Sequence, residues 1–214
     1  MSIVLELQNQ AIDSNSDILS LLRKALLVSH KLGLRDFEDW INNELNGYKD
    51  KDKVEIPEYR KVHGELKVLN PVRGWIPVII EDKEIEEFLS YKKTFDSIPS
   101  LCSLVNSKDK QLIMPMLGKE NVLISNYTGY ESKYQLFVSC NSIVNIIEQV
   151  KNKILDWSLI LEEQGISGNG LMFTQEEKAK AQNEPKIVNY ISNFYGDVLD
   201  TQIQIGTYGS KQKK

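Results

Sequence analysis

The sequence predicts an α+β protein, composed of a mainly helical body, a small antiparallel sheet and a β-rich C-terminal tail. Three observations lead to this prediction. Apolar residues recur at helical spacing within residues 18–45 and again within 141–164. Between residues 61 and 68 they alternate with polar residues, which is typical of a half-buried strand. After Pro185 the composition becomes β-branched, aromatic and rich in amides.

Composition and charge are those of an ordinary globular protein. Hydrophobic residues make up 41% and charged residues 26% of the 214 positions. The formal net charge of −4 gives no overall attraction to nucleic acid or to an anionic membrane, so only a local basic patch could bind phosphates. The chain is long enough for a substantial core, and we divide it into a mixed helical domain, residues 1–183, and a β-rich tail, residues 184–214.

Targeting and metal-binding signals are missing from the sequence. The first residues, M-S-I-V-L-E-L-Q, carry no basic segment ahead of their apolar residues, which argues against a signal peptide. No apolar run reaches membrane-spanning length. Cys102, Cys140, His30 and His63 are too few and too scattered for a zinc site. The sequence therefore predicts a cytoplasmic protein with reduced cysteines, no metal, no cofactor and no membrane contact.

The first part of the chain is predicted to be helical. Residues 2–12 form a short helix with an apolar residue at every fourth position. The next helix has Ser16 or Asp17 as its N-cap and ends at Gly33. Its apolar stripe consists of Ile18, Leu21, Leu22, Ala25, Leu26 and Leu32.

Two helix ends share an acidic Asp-Trp pattern. They are F-E-D-W-I-N-N-E-L-N-G-Y at residues 37–48 and I-L-D-W-S-L-I-L-E-E-Q-G at residues 154–165. In each segment the tryptophan falls on the apolar side of the helix, and Asp39, Asp156, Glu162 and Glu163 fall beside or opposite it. Gly47 suits a C-terminal cap that needs a left-handed residue. We therefore interpret both segments as helix packing and termination rather than as parts of a catalytic site.

The spacing of the apolar residues changes from helical to alternating between residues 60 and 80. In R-K-V-H-G-E-L-K-V-L, Val62, Leu66 and Val68 alternate with polar residues, which predicts a half-buried strand. Gly64 occupies the apolar register of this strand and predicts a bulge. N-P-V-R-G supplies a turn, and G-W-I-P-V-I-I predicts a second strand that Pro77 restricts to an edge or a bulge.

Residues 81–135 carry the weakest periodicity. We predict short helices near 82–90, 97–105 and 110–117, separated by polar loops. One more short strand is predicted at 134–140.

The clearest helical pattern lies at residues 141–164. Asn141 or Ser142 can cap its start, and apolar residues follow at alternating steps of four and three. We predict that this seam packs on the apolar stripe of residues 18–32. The seam consists of Ile143, Ile147, Val150, Ile154, Trp157 and Leu161.

The C-terminal region begins with T-Q-E-E at residues 174–177, a capping box that opens a short helix to about Gln182. Beyond Pro185 the composition predicts a hairpin or two short strands. Two strands alone bury too little apolar surface to be stable in water, so they must pack on the body or on another chain. We expect them to join copies into a homo-oligomer. The residues proposed for this contact are Tyr190, Ile191, Phe194, Ile203 and Ile205.

A series of segments follows in order along the chain: S-I-V-L-E-L-Q-N-Q-A, L-L-R-K-A-L-L-V-S-H-K-L-G-L, F-E-D-W-I-N-N-E-L-N-G-Y, I-P-E-Y-R, N-P-V-R-G-W-I-P-V and K-N-K-I-L-D-W-S-L-I-L-E-E-Q-G-I. Together they resemble the AbiTii family of bacterial abortive-infection proteins over roughly residues 2–180. This resemblance implies a bacterial, cytoplasmic protein that takes part in defence against phage, and it brings no catalytic motif. The tail resembles short terminal segments of assorted bacterial conflict proteins.

Three groups of residues are candidates for a catalytic or phosphate-binding site. Arg23 and His30 lie seven residues apart on one helix, a spacing that resembles the motif of metal-independent HEPN ribonucleases. Their alternative role is to flank the apolar stripe. Glu65 and Lys67 resemble the Glu-x-Lys of restriction-type nucleases, but no upstream aspartate is evident on a neighbouring strand. The glycines of 165–170 follow a helix and are predicted to stop it, not to bind phosphate.

A basic and aromatic surface is predicted from Arg60, Lys61, Arg73 and Trp75, around the two strands. It would bind nucleic acid or a phage protein; the alternative is that Trp75 is a core residue and the cations lie at its rim. Because catalytic groups are sparse, we expect the protein to act by recognition or assembly rather than as an enzyme. A second protein from the same locus is a further expected partner.

Overall fold

The computed structural model describes residues 2–48, 55–108 and 111–194, with helices at both ends of this range and strands mixed with helices between them. The helices are α1 (Ile3–Ile12), α2 (Ile18–Leu32), α3 (Arg35–Asn46), α4 (Lys83–Ser90), α5 (Ile98–Val105), α6 (Lys119–Thr128), α7 (Cys140–Glu163), α8 (Gln175–Asn183) and α9 (Pro185–Val188). The strands are β1 (Lys61–Asn70), β2 (Gly74–Pro77), β3 (Tyr91–Lys93), β4 (Gln111–Pro115) and β5 (Tyr134–Ser139). Short 3₁₀ turns occupy Glu58–Arg60 and Ile191–Phe194. The predicted α+β class, a helical body with a small antiparallel sheet, is confirmed.

The caps predicted at Asp17, Gly33 and Thr174 are present, whereas the predicted cap at Asn141 or Ser142 is wrong because Ser139 precedes the first residue of α7. The Asp17 carboxylate accepts hydrogen bonds from the amides of Leu19 and Ser20 and begins α2. Gly33 ends that helix with φ at 75°, a left-handed conformation that a residue with a Cβ adopts at a cost. Thr174 and Glu177 form the predicted capping box of α8.

The long helix α7 lies at the centre of the helical body. Its predicted seam faces the core: Trp157 and Leu161 are fully buried, and Ile147 is half-buried. The seam packs mainly on α1 and α5, and its contact with α2, the predicted partner, is smaller. The reason is that α1 presents a face of buried apolar residues to α7, while α2 packs chiefly on α3.

The sheet is antiparallel and has the strand order β2-β1-β5-β4, with β3 paired to the start of β1. The pairing of β1 with β5 runs without interruption from Gly64 opposite Val138 to Val68 opposite Tyr134, so the bulge predicted at Gly64 is wrong. Glycine is needed there because the two strands approach closely. A Cβ at Gly64 would lie 2.9 Å from the carbonyl oxygen of Phe137.

The region 81–135 contains the main errors of the sequence-based prediction. Helices α4 and α5 lie where they were expected, but the helix predicted at 110–117 is wrong because Gln111–Pro115 forms β4. Helix α6 was not predicted at all. The strand predicted at Gly74–Ile80 stops at Pro77, at the edge of the sheet.

The start of the predicted tail is helical and packs on the body. The Tyr190 hydroxyl donates to the carbonyl of Lys153 at 3.0 Å. The Phe194 ring makes an edge contact with Trp40 at 5.2 Å between centroids. Tyr190, Ile191 and Phe194 are buried against their own chain, which corrects the strands expected at these positions. Ile203 and Ile205 lie outside the described residues. The division of the chain at residue 183 stays a prediction.

Within the described part of the chain, no helix is both long enough and apolar enough to cross a membrane.

Candidate binding face of the sheet

The two faces of the sheet differ in their surroundings. Side chains alternate across a strand, so Val62 and Leu66 of β1 share the inner face with Leu136 and Val138 of β5, and all four are buried. The opposite face is open to solvent. We call it the outer face; it consists of Lys61, His63, Glu65, Lys67, Trp75, Tyr91, Ile113 and Phe137.

Aromatic rings on the outer face form two pairs. His63 and Tyr91 are direct neighbours on β1 and β3, with ring centroids 4.9 Å apart. Trp75 on β2 and Phe137 on β5 reach each other across β1, with centroids 5.5 Å apart and an interplanar angle of 61°. Both pairs remain partly accessible to solvent. An exposed antiparallel sheet with surface rings can hold a flat aromatic ligand by stacking.

Each pair has a lysine beside it. Lys61 Nζ lies 4.8 Å from the centroid of the Tyr91 ring, and Lys67 Nζ lies 4.8 Å from that of Phe137. Lys67 also forms an ion pair with Glu65 at 2.9 Å. The face therefore combines ring surfaces with cations on flexible stems, one cation at each ring pair.

Three of the four residues predicted for a basic and aromatic surface are accessible. Lys61 and Trp75 belong to the outer face, and Arg73 is exposed in the turn that joins β1 to β2. Trp75 is half-buried on the sheet surface and is not a core residue. Arg60 must be removed from this set because its side chain is wholly buried.

Arg60 instead forms an ion pair with Glu44, a second fully buried side chain. Its Nε donates to Glu44 Oε1 at 3.0 Å, and its Nη2 contacts Glu44 Oε2. Arg60 Nη1 donates to the carbonyl of Asp96 at 2.7 Å. Burial lowers the pKa of the Arg60 guanidinium, but the Glu44 carboxylate outweighs this effect and raises it, so Arg60 stays charged.

Two tyrosines complete this buried cluster. The hydroxyls of Tyr48 and Tyr59 donate to Glu44 Oε1 at 2.6 and 2.7 Å, and Trp40 Nε1 donates to the Tyr59 oxygen at 2.8 Å. Burial and the charge of Glu44 raise the pKa of Tyr59 well above its usual value. The polar atoms satisfy one another, and Glu44 and Arg60 are fully buried, which is typical of a structural network. The sequence signal for Glu44 was its position on the apolar side of α3, four residues after Trp40.

Arg23 and His30, the candidate ribonuclease pair, are both exposed on α2. His30 Nδ1 lies 3.2 Å from a carboxylate oxygen of Glu38 on α3. This contact orients the imidazole ring, and the catalytic role of the pair stays a hypothesis.

Glu65 and Lys67, the candidate nuclease pair, bind each other across one face of β1. Their register neighbours on β5 are Phe137 and Gln135, neither of which is acidic. Across the three described stretches, no cluster of three or more His, Cys, Asp or Glu side chains is arranged to hold a metal ion.

Comparison with known proteins gives one assignment. The family model AbiTii matches residues 2–186, a range that includes helices α1 to α8 and the whole sheet. Neither the curated proteins nor the solved structures contain a significant match. Because the family model covers most of the sequence, the chain belongs to the AbiTii family, whose membership supports a role in abortive infection as a defence against phage.

Proposed function

We propose that this protein serves phage defence by recognition rather than by catalysis, and that its outer face binds single-stranded nucleic acid. The observation that carries the proposal is the pattern of that face. It has two ring pairs on an open sheet, each with a lysine 4.8 Å from a ring centroid.

Stacking supplies the attraction in this proposal. Unpaired bases expose flat surfaces that stack on aromatic side chains whatever their sequence. His63 and Lys67 are four residues apart on β1, which separates the two ring pairs by about 13 Å along the strand. An extended single strand could place one base near each pair, with the connecting phosphates above the strand.

The lysines supply the charge. When a base stacks on Tyr91 or Phe137, the lysine at that ring is displaced and its ammonium group becomes available for a phosphate. Arg73 in the β1–β2 turn adds a cation at the edge of the face. The net charge of −4 makes this attraction local, so we expect binding to weaken strongly as salt is added.

Recognition is favoured over catalysis by the sparse chemistry of the accessible groups. The runner-up function is a metal-independent, HEPN-like ribonuclease that uses Arg23 and His30. A phage protein is the alternative ligand of the outer face. Failure to bind single-stranded oligonucleotides in the experiment below would favour it. We also propose that the chain acts as a homo-oligomer joined by its C-terminal tail, residues 184–214, together with a partner protein from its own locus.

Replacing Trp75 by alanine should weaken binding of a fluorescein-labelled oligo-dT or oligo-U 12-mer about 5- to 100-fold, since stacking on one side chain contributes roughly 1–3 kcal/mol per base. Fluorescence anisotropy in 50 mM salt measures the affinity. Lys67→Gln should weaken binding less and should reduce its dependence on salt. Tyr130→Ala removes an exposed ring that is not part of the outer face and serves as the matched control.

Failure of the parent protein to bind any single-stranded oligonucleotide at low salt would overturn the proposed ligand. Equal affinity for duplexes would also contradict it, because paired bases cannot stack on the rings. If the oligo-U is cut in the presence of chelator, and Arg23→Ala and His30→Ala each abolish cutting while remaining folded by circular dichroism, the ribonuclease function replaces ours.

A further inference from the structure

Glu65 is the one acidic residue in the set that forms the outer face. Its side chain is 56% exposed, and its direct neighbour across the strands is Phe137 on β5. Side chains that oppose each other in this way have Cβ atoms about 5 Å apart. A carboxylate repels phosphate groups, so an acid beside a stacking ring points to a contact with the base of a nucleic acid rather than with its backbone.

Lys67 connects Glu65 to the Phe137 ring. Its Nζ lies 2.9 Å from Glu65 Oε2 and 4.8 Å from the centroid of the ring. One ammonium group therefore covers the ring and neutralises the carboxylate at the same time. Among the described residues, Glu65 has no second ion-pair partner within 4 Å. We call the Phe137 ring with Glu65 and Lys67 the Phe137 site.

A base that stacks on Phe137 takes the place of the Lys67 ammonium. This exchange removes the counterion of Glu65 and brings the edge of a flat ring next to the carboxylate. A carboxylate accepts hydrogen bonds and donates none, so the base has to supply N–H donors in place of the ammonium group. An unpaired base exposes its Watson–Crick edge for such a contact.

The common bases differ in the donors on that edge. Guanine has two adjacent donors, its N1–H and its 2-amino group, which can bind both oxygens of one carboxylate side by side. Adenine and cytosine have one amino group next to a ring nitrogen that accepts, and thymine and uracil have one N–H between two carbonyl oxygens. Those acceptors would face the charge of Glu65. Because bidentate hydrogen bonds to a charged group are the strong ones, guanine is the base that fits.

We propose that the Phe137 site selects guanine and that Glu65 is the residue that determines this specificity. The inference rests on the proposed binding of single-stranded nucleic acid to the outer face, and it adds a preferred base at one ring pair. At the other pair, Lys61 covers Tyr91 and has no acidic ion-pair partner within the three described stretches. A base that displaces Lys61 leaves no carboxylate unpaired, so we expect no preference there.

Fluorescence anisotropy with labelled DNA 12-mers tests the inference. One 12-mer contains only thymine, and the others replace one central thymine by guanine, adenine, cytosine or hypoxanthine, the base of inosine. We expect the parent protein to bind the guanine 12-mer roughly tenfold more tightly than oligo-dT, a difference typical of one good bidentate contact. Hypoxanthine is guanine without the 2-amino group and should lose most of this gain.

Glu65→Gln removes the carboxylate and keeps the length of the side chain. A carboxamide has one donor and one acceptor, which every base can match, so the guanine preference should disappear. Binding of oligo-dT should be unchanged or tighter, because one negative charge leaves the face. The matched control is Glu176→Gln, which neutralises an exposed acid on α8, a helix that packs on α2 and α9, and should keep the preference.

The outcomes separate this inference from the proposed function. If no oligonucleotide binds the parent at low salt, the proposed ligand itself is wrong. If the parent binds oligo-dT but gains nothing from guanine, gains as much from adenine or cytosine, or keeps the gain in Glu65→Gln, the inference is wrong and the proposed function stands. The comparison of guanine with hypoxanthine uses the parent alone, so it decides the inference even if Glu65→Gln does not fold.

Discussion

Replacing Arg60 by methionine should reduce the free energy of unfolding by about 3–5 kcal/mol, because it leaves Glu44 as a buried carboxylate without a counterion. The tyrosine hydroxyls would still donate to Glu44, but two neutral hydrogen bonds do not replace a bidentate guanidinium. Urea unfolding monitored by circular dichroism measures the loss.

A double-mutant cycle gives the control for this prediction. Glu44→Leu alone should also be severely destabilising, since it leaves the Arg60 cation buried and unpaired. The combined variant should cost less than the sum of the two, because neither charge remains in the core. Lys24→Met breaks a partly exposed pair with Glu6 and should cost no more than about 1 kcal/mol. Additive losses in the cycle would contradict a coupled buried pair.

Replacing Trp157 by alanine should cost about 3–5 kcal/mol. Trp157 is fully buried on the seam of α7, and its ring stacks on Phe37 with centroids 3.9 Å apart and an interplanar angle of 17°. Alanine would remove this contact and leave a cavity between α7 and α3. The midpoint of urea unfolding is the measurement, and an unchanged midpoint would mean that Trp157 lies at the surface.

Phenylalanine variants separate packing from hydrogen bonding in the two buried tryptophans. Trp157 Nε1 has no hydrogen-bond partner among the described residues, so Trp157→Phe removes an unsatisfied donor as well as ring area. Trp40 Nε1 donates to Tyr59, and Trp40→Phe breaks that bond. We therefore expect Trp40→Phe to destabilise the fold more than Trp157→Phe does. If Trp157→Phe were instead the more destabilising variant, Trp157 Nε1 would have to donate a hydrogen bond in the folded protein.

The helical body could be predicted because its local signals and its tertiary packing agree. The caps at Asp17 and Thr174 and the seam through Trp157 each follow from sequence spacing. Helix α6 gave no such signal, since Ile124 is its one fully buried residue. The apolar run at β4 was too short to distinguish a strand from a helix, and its pairing with β5 decided the outcome.

The candidate site could be predicted only in part. Lys61 and Trp75 were identified because they flank the two strands that the sequence signalled. Tyr91 and Phe137 were missed because strand register, which the sequence does not state, brings them onto the same face. Arg60 was wrongly assigned to the accessible surface for a related reason. A cation at the start of a strand is usually solvated, and the carboxylate that pairs with Arg60 in the core lies sixteen residues earlier, at Glu44.

Helix α1 and its main packing partner, α7, are far apart along the chain, and this separation affects how the protein folds during its synthesis. The hydroxyl of Ser2 donates to the carbonyl of Ser167, 165 positions later, and α1 packs mainly on α7. At typical translation rates α1 waits on the order of ten seconds for α7 to emerge from the ribosome. During that time α2 is its available neighbour, and the rest of its apolar face stays uncovered. Nascent chains that end before Glu163 therefore present an apolar helix that a chaperone can bind.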